Sequence, residues 1–185
     1  MVWKNSNGTY GYHRSSELTK ADQNRRMRAA DDKAGRIVRN ILTPAMTETQ
    51  KFQAIHDYLM KHCAYNYGLK KISGYEESLT AYGALVEGMS VCQGYTAAFN
   101  LLAQKAGLDS IAVCGLVSTG DHAWNYVACD GRYRYVDCTW DKTLQTGSSI
   151  RYDYFLVTKQ LMGQNHTWNT KKFRSEYVSY CKYLR

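Results

Sequence analysis

The order of hydrophobic periodicities along the chain predicts an α+β fold, with helices first, then an antiparallel β-sheet, and one later helix packed on that sheet. Two observations carry this expectation. Apolar residues recur at helical spacing over 19–63 and again over 92–106, whereas runs rich in β-branched and aromatic residues fill much of 111–157. Within those runs Asp130-Gly131 separates two strand-like segments, and a pair of this kind marks a tight hairpin of type I′.

The first helix is expected from about Thr19 to Leu42. Met27, Ala30, Ala34, Ile37, Val38 and Ile41 form its apolar stripe, interleaved with Arg25, Arg26, Arg28, Lys33, Arg36 and Arg39. A second helix starts at Thr47, where Thr47-x-x-Gln50 reads as a capping box, and runs to about Cys63. A short helix near Ser78 to Val86 leads through Gly88 to a third long helix. There Ser90-x-x-Gln93 reads as another capping box, Tyr95, Ala98, Phe99, Leu102 and Ala106 share a side, and Gly107 supplies the stop. Strands are expected near Ile111 to Val117, His122 to Cys129, Arg132 to Thr139 and Tyr152 to Val157.

Three of these elements carry residues with chemistry. Cys92 falls in the first turn of the third helix, where free N–H groups and the positive end of the helix dipole favour a thiolate. The competing reading is a small apolar residue packed beneath the helix. In the hairpin, residues flanking a two-residue turn pair directly, so Cys129 faces Arg132, Val127 faces Arg134, Trp124 faces Asp137 and His122 faces Thr139. Side chains alternate across a strand, which puts His122, Trp124, Asp137 and Tyr135 on one face. His122 and Asp137 then become diagonal neighbours, and a carboxylate in an otherwise apolar and aromatic run is disfavoured unless it has a partner. A one-residue slip would send them to opposite faces. A lone histidine near a strand start is usually structural. The helix-start cysteine and the His/Asp pair together favour thiol catalysis.

Met89-Ser-Val-Cys-Gln-Gly-Tyr, Asp121-His-Ala-Trp-Asn and Val136-Asp-Cys-Thr-Trp-Asp resemble the three core motifs of the transglutaminase-like superfamily, in the same Cys, His, Asp order. More closely, the chain resembles the bacterial transglutaminase-like domains related to cytokinesis protein 3. Ile55-His-Asp-Tyr-Leu, Ala81-Tyr-Gly-Ala-Leu and Tyr154-Phe-Leu-Val carry that likeness, which covers about residues 48 to 168. The resemblance implies a papain-like core, with Cys92 as nucleophile, His122 as general base and Asp137 as the residue that orients the imidazole. Gln93 and Trp124 are candidate substrate contacts, Trp124 as a wall of the acyl channel or simply as packing between the sheet and the nucleophile helix. His166-Thr-Trp-Asn resembles a late family segment that borders the cleft or serves structure alone.

The implied chemistry is acyl transfer through a thioester at peptide or protein amide bonds. Hydrolysis is favoured, because bacterial domains of this kind are regarded as protease-like and no acidic cluster resembles the calcium sites of the animal cross-linking enzymes. A true protein-glutamine transglutaminase is the alternative, and a peptide- or cell-wall-binding module that keeps the fold is the third reading. No cofactor is expected, and no metal, since six cysteines and five histidines form no zinc pattern.

With 185 residues, one proline and no detectable repeat, a single domain over 19–185 is expected after an N-terminal extension, 1–18, that matches nothing recognisable. No apolar run approaches the roughly 18 residues of a membrane span, and Met1-Val-Trp-Lys-Asn-Ser-Asn does not read as a signal start. The expected location is extracellular or at the cell surface. Net charge is +8, with basic residues concentrated in the first helix and in a tail bearing Lys171, Lys172, Arg174, Lys182 and Arg185. A solvated helix face accounts for most of it, and attraction to anionic cell-surface polymers is the functional alternative. No nucleic-acid motif is present, so the expected partner is a peptide or protein substrate. Cys129 and Cys138 do not face one another in the hairpin, which argues against a bridge between them.

Overall fold

Capping residues and buried stripes set the helical first half of the molecule. A computed structural model of the chain describes residues 19–67 and 77–168, together with the backbone of 2–4 and 10–12. Strands β1 (Val2–Lys4) and β2 (Tyr10–Tyr12) form an antiparallel pair. Helix α1 (Lys20–Ile41) starts where the Thr19 side chain accepts the Asp22 N–H, and it buries Ala30, Ala34 and Ile37. Helix α2 (Glu48–His62) carries the expected capping box, with Thr47 and Gln50 bonded reciprocally, and buries Phe52, Ile55, His56, Leu59 and Met60. The basic tail beyond residue 168 lies outside the described residues.

The approach to the third long helix differs from the expected short helix. A 3₁₀ turn (Glu77–Leu79) and a π-turn (Gly83–Glu87) replace it, and Gly88 at φ 72° ends the π-turn in the left-handed region that glycine tolerates. An ion pair between Arg26 and Glu77 ties the 3₁₀ turn to α1. Strand β3 (Ala64–Tyr65) then runs parallel to β4 (Met89–Ser90), immediately before helix α3 (Cys92–Lys105).

The second capping box does not form. The residue capping α3 is Val91, which offers no side-chain hydrogen bond, because Ser90 is drawn into β4 and its buried hydroxyl donates to the Ser78 carbonyl at 2.6 Å. The opposite end behaves as expected. Gly107, at φ 70°, lets its N–H reach the Gln104 carbonyl and the Leu108 N–H reach Ala103, at 3.1 and 2.9 Å.

Strands β5 (Ser110–Val117), β6 (Gly120–Cys129) and β7 (Arg132–Val136) form an antiparallel sheet in the order β5-β6-β7. Asp130 and Gly131 both take positive φ, 49° and 72°, as a type I′ turn requires, and pair Cys129 with Arg132 and Asn125 with Val136. Val127, Cys129 and Val136 join the buried side chains of α2 and α3 in the main core, where Phe52 and Phe99 stack at 5.9 Å. Val113, Trp124, Tyr135 and Met162 form a second cluster.

Two strand expectations change here. The third strand ends at Val136 rather than Thr139, since the Asp137 side chain accepts the N–H groups of Thr139 and Trp140 and starts helix α4 (Cys138–Leu144). The segment Tyr152 to Val157 is not a strand. Its backbone is used elsewhere: Tyr154 N–H donates to the Asp141 carboxylate, the Tyr154 carbonyl accepts from Asp137 N–H, and Leu156 takes φ 53°. Only Val157 pairs with the sheet, opposite Tyr135, before the short helix α5 (Lys159–Met162). Cys63, Cys92, Cys129 and Cys138 are free thiols, and no helix among the described residues is long and apolar enough to cross a membrane. The result is the α+β, papain-like arrangement, a buried helix against an antiparallel sheet.

Candidate active site

Three elements converge on one point: the start of α3, β6, and the junction between β7 and α4. Cys92 is the first residue of α3, where backbone N–H groups have no partner within the helix. That position depends on tight packing of the first turn. A Cβ on Gly94 would lie 1.8 Å from the Ser90 hydroxyl oxygen and 2.5 Å from the Ser78 carbonyl oxygen, so only glycine lets the turn settle over β4. Cys92 is 7% exposed.

His122 Nε2 lies 2.7 Å from Asp137 Oδ2, and the Cys92 thiol is near enough to influence the same imidazole electrostatically. With Nε2 committed to the carboxylate, Nδ1 is the nitrogen left to face sulfur. The ring is held flat against Trp124, centroids 5.9 Å apart, with Trp140 at 6.1 Å on another side. Asp137 is fully buried, and its other oxygen, Oδ1, accepts the Thr139 and Trp140 N–H groups at 2.9 and 3.1 Å. The aspartate is therefore fixed less by a strand register than by capping a helix that begins where the strand stops.

The electrostatics follow from burial and pairing. Burial disfavours a charged His122, but the Asp137 charge and hydrogen bond, aided by Cys92, outweigh it and push the imidazole up to about 10. Burial also opposes ionisation of Asp137. The His122 charge and hydrogen bond, then His166 and the Trp140 N–H, hold its carboxyl down at about 2. Both shifts favour an imidazolium paired with the Asp137 carboxylate.

The other two expected contacts fall differently. Gln93 stays at the site, its Oε1 accepting from the Cys92 thiol at 3.6 Å. Trp124 is 1% exposed and offers no surface to an acyl channel. Its buried apolar neighbours are those of the second cluster, with Trp168 edge-on at 5.6 Å, and its other side meets the imidazole. Half-buried rings beside the site include Trp140, 6.1 Å from the imidazole, and Tyr65, which feels the Cys92 charge. Burial, then the adjacent Cys92 and Tyr67, push the Tyr65 phenol up.

Two further histidines are drawn in. His166, fully buried, places Nε2 at 3.0 Å from the same Asp137 Oδ2 that serves His122. His56 on α2 meets Asp141 on α4 at 3.0 Å, with both side chains fully buried. The sequence marks His56 and His166 only as parts of recognisable segments, since their partners lie 85 and 29 residues away. Among the described residues, two groups of side chains have donor atoms close enough to hold a cation, His122–Asp137–His166 and Glu48–Cys129–Asp130. In the first, Asp137 Oδ2 already serves both ring nitrogens.

Comparison with known proteins bears on the chain as a whole. Residues 35–138 match the family described as the transglutaminase-like superfamily, which is more than half of the chain. Human kyphoscoliosis peptidase is 25% identical over 156 residues, covering 75% of this chain, and its mouse counterpart is 24% identical over the same length. The chain spans 23% of the length of these relatives. Among solved structures, that of a TGase superposes with a TM-score of 0.55 at 18% identity, covering 77% of this chain and 40% of the other.

Proposed function

The chain belongs to the transglutaminase-like superfamily, and from that premise we propose that it is a thiol enzyme acting on peptide or protein amide bonds, with hydrolysis as its main outcome. The observation that carries this reading is the imidazole of His122, set between the Cys92 thiol and an Asp137 oxygen at 2.7 Å. The proposed cycle begins with the Cys92 proton on His122. The thiolate attacks the amide carbonyl carbon, and the oxyanion is stabilised by backbone N–H at the start of α3, that of Cys92 included. Collapse breaks the C–N bond, and the leaving amine takes its proton from His122. Asp137 holds the ring in the tautomer that keeps Nδ1 towards sulfur throughout. Water, deprotonated by His122, then opens the thioester and regenerates the thiol.

Similarity to a peptidase in human and mouse favours water as the acceptor. The fold shared with a TGase keeps a second reading in view, in which a primary amine opens the thioester and leaves a cross-linked or transamidated product. Incubation with a peptide library, with and without a labelled primary amine and read by mass spectrometry, separates them. The expected result is cleavage that Cys92→Ala abolishes. Amine incorporation would transfer the assignment to a transglutaminase. No reaction of either kind, with Cys92 no more reactive to iodoacetamide than the other thiols at pH 6, would leave a binding module.

A further inference from the structure

We propose that His166 is a positioning residue of the thiol centre, sharing one oxygen of Asp137 with His122 and thereby fixing the carboxylate against which the catalytic imidazole turns. This rests on the Cys92–His122–Asp137 reading above and adds a fourth member to it.

The geometry carries the assignment. Asp137 Oδ1 accepts two backbone N–H groups of α4, and Oδ2 is bracketed by His122 Nε2 at 2.7 Å and His166 Nε2 at 3.0 Å. An ionised carboxylate has no proton to give, so His166 Nε2 must carry the hydrogen it shares. The cap alone leaves Oδ2 held only by the ring it is meant to steer. A second donor anchored elsewhere removes that freedom.

His166 is anchored. Its ring is fully buried, with Trp140 at 4.5 Å, Trp124 at 4.8 Å and Tyr154 at 5.6 Å between centroids, so no water competes for Nε2. Nδ1 lies 2.6 Å from Asn165 Oδ1, and the Asn165 amide donates to the Tyr154 hydroxyl at 2.6 Å. The next residue, Thr167, is bonded both ways to Leu116 on β5 at 2.9 Å. Gly115 makes room for that bridge: a Cβ there would lie 2.2 Å from the Thr167 carbonyl oxygen. The segment after α5 is thus tied to the sheet edge at the residue adjoining the imidazole. A histidine serving only to fill space would not need its Nε2 aimed at a buried carboxylate.

The test uses alkylation of Cys92 by iodoacetamide at pH 6, which needs no substrate, in His166→Met and His166→Gln. Methionine keeps similar bulk without a donor, and glutamine restores an N–H. The methionine variant is expected to alkylate about 10-fold to 100-fold more slowly, the range that loss of an outer-shell partner produces at metal-bound imidazoles. The glutamine variant should return to within about 3-fold of the parent, less than half the logarithmic span of that loss. Equal rates in parent and methionine variant would overturn the proposal, as would an equal loss in both variants. Asp137→Asn separates this from failure of the underlying reading. If that change also leaves alkylation untouched, the triad itself falls, whereas slowing by Asp137→Asn alone removes only His166. Should the methionine variant not fold, the parent protein decides by NMR. Two downfield imidazole N–H protons, one from each histidine, should both move in Asp137→Asn, and a response from His122 alone would overturn the assignment.

Discussion

Both oxygens of Asp137 are engaged, Oδ1 by the start of α4 and Oδ2 by two imidazoles, so the residue answers to the helix and the site at once. Asparagine in its place keeps the shape but turns an N–H₂ towards one side, and either the helix cap or the imidazole loses its acceptor. We expect Asp137→Asn to keep the fold by circular dichroism while turnover of any cleaved peptide falls by about 10³-fold to 10⁴-fold, as when the orienting carboxylate of a triad is lost. A residual rate close to the parent's would refute the orienting role. The same pair shapes stability against pH. His122 is raised to about 10 in the folded state, so its contribution is complete below the unfolded value near 6.5 and drains away as pH climbs towards 10. Asp137 is lowered to about 2, so its contribution is complete above about 4 and is lost on acidification towards 2. Urea unfolding should therefore give a plateau near pH 4–6.5 and a decline above it, at up to about 1.4 kcal/mol per pH unit for the one proton on His122. In His122→Gln the alkaline decline should flatten; an unchanged slope would assign it to other groups.

At the scale of elements, two contacts between residues far apart in sequence bear on the starts of helices α3 and α4. Ser90 reads as a helix cap from its spacing to Gln93, yet it is taken by the Ser78 carbonyl, and Gly94 sits where any side chain would strike both. Gly94→Ala should lower stability by about 1–3 kcal/mol or more through overpacking, measured by urea unfolding, and should slow Cys92 alkylation because the first turn must shift. A variant as stable and as reactive as the parent would show that the turn is not tightly seated. The second contact is the buried pair of His56 and Asp141, which staples α2 to α4 four residues after Asp137. Burial works against charge on His56, but the Asp141 and Asp57 hydrogen bonds raise it, while burial pushes the Asp141 carboxyl up. The two side chains share a buried hydrogen bond at 3.0 Å. Removing one partner strands the other, so Asp141→Leu is expected to cost about 3–5 kcal/mol, whereas His56→Leu with Asp141→Leu should recover much of that loss. Double-mutant unfolding curves that simply add would exclude the coupling.

For the molecule as a whole, what sequence makes legible is local, and what it hides is tertiary. The Thr47 box, the Asp130-Gly131 turn with its register and the Gly107 stop each depend on residues within a few positions, and each forms as read. Ser90 and the run from Tyr152 to Val157 are misread because their hydrogen bonds go to distant partners, whereas the third strand ends early because Asp137 caps the next helix two and three residues on. His122 meets Asp137 as the alternation of the hairpin suggests, but helix capping finishes the placement. This division has a consequence for cooperativity. Helix α3 buries eight of its residues, from Cys92 to Ala103, between α2 and the sheet, so it cannot open without exposing the main core. The first eleven residues of α1 bury only Ala30 at their end, and each fully buried apolar side chain contributes roughly 1.5–3 kcal/mol to what opening must overcome. Local unfolding should therefore enter from the start of α1 and reach α3 and β6 last. Native-state hydrogen exchange should show α3 and β6 amides exchanging only through global unfolding, with a denaturant dependence equal to that of the whole protein. Amides in the first turns of α1 should exchange far faster and almost independently of denaturant. If those turns exchanged as slowly as α3, the basic helix would have to be held by contacts that its buried stripe does not supply, and the catalytic core would extend over the entire first helix.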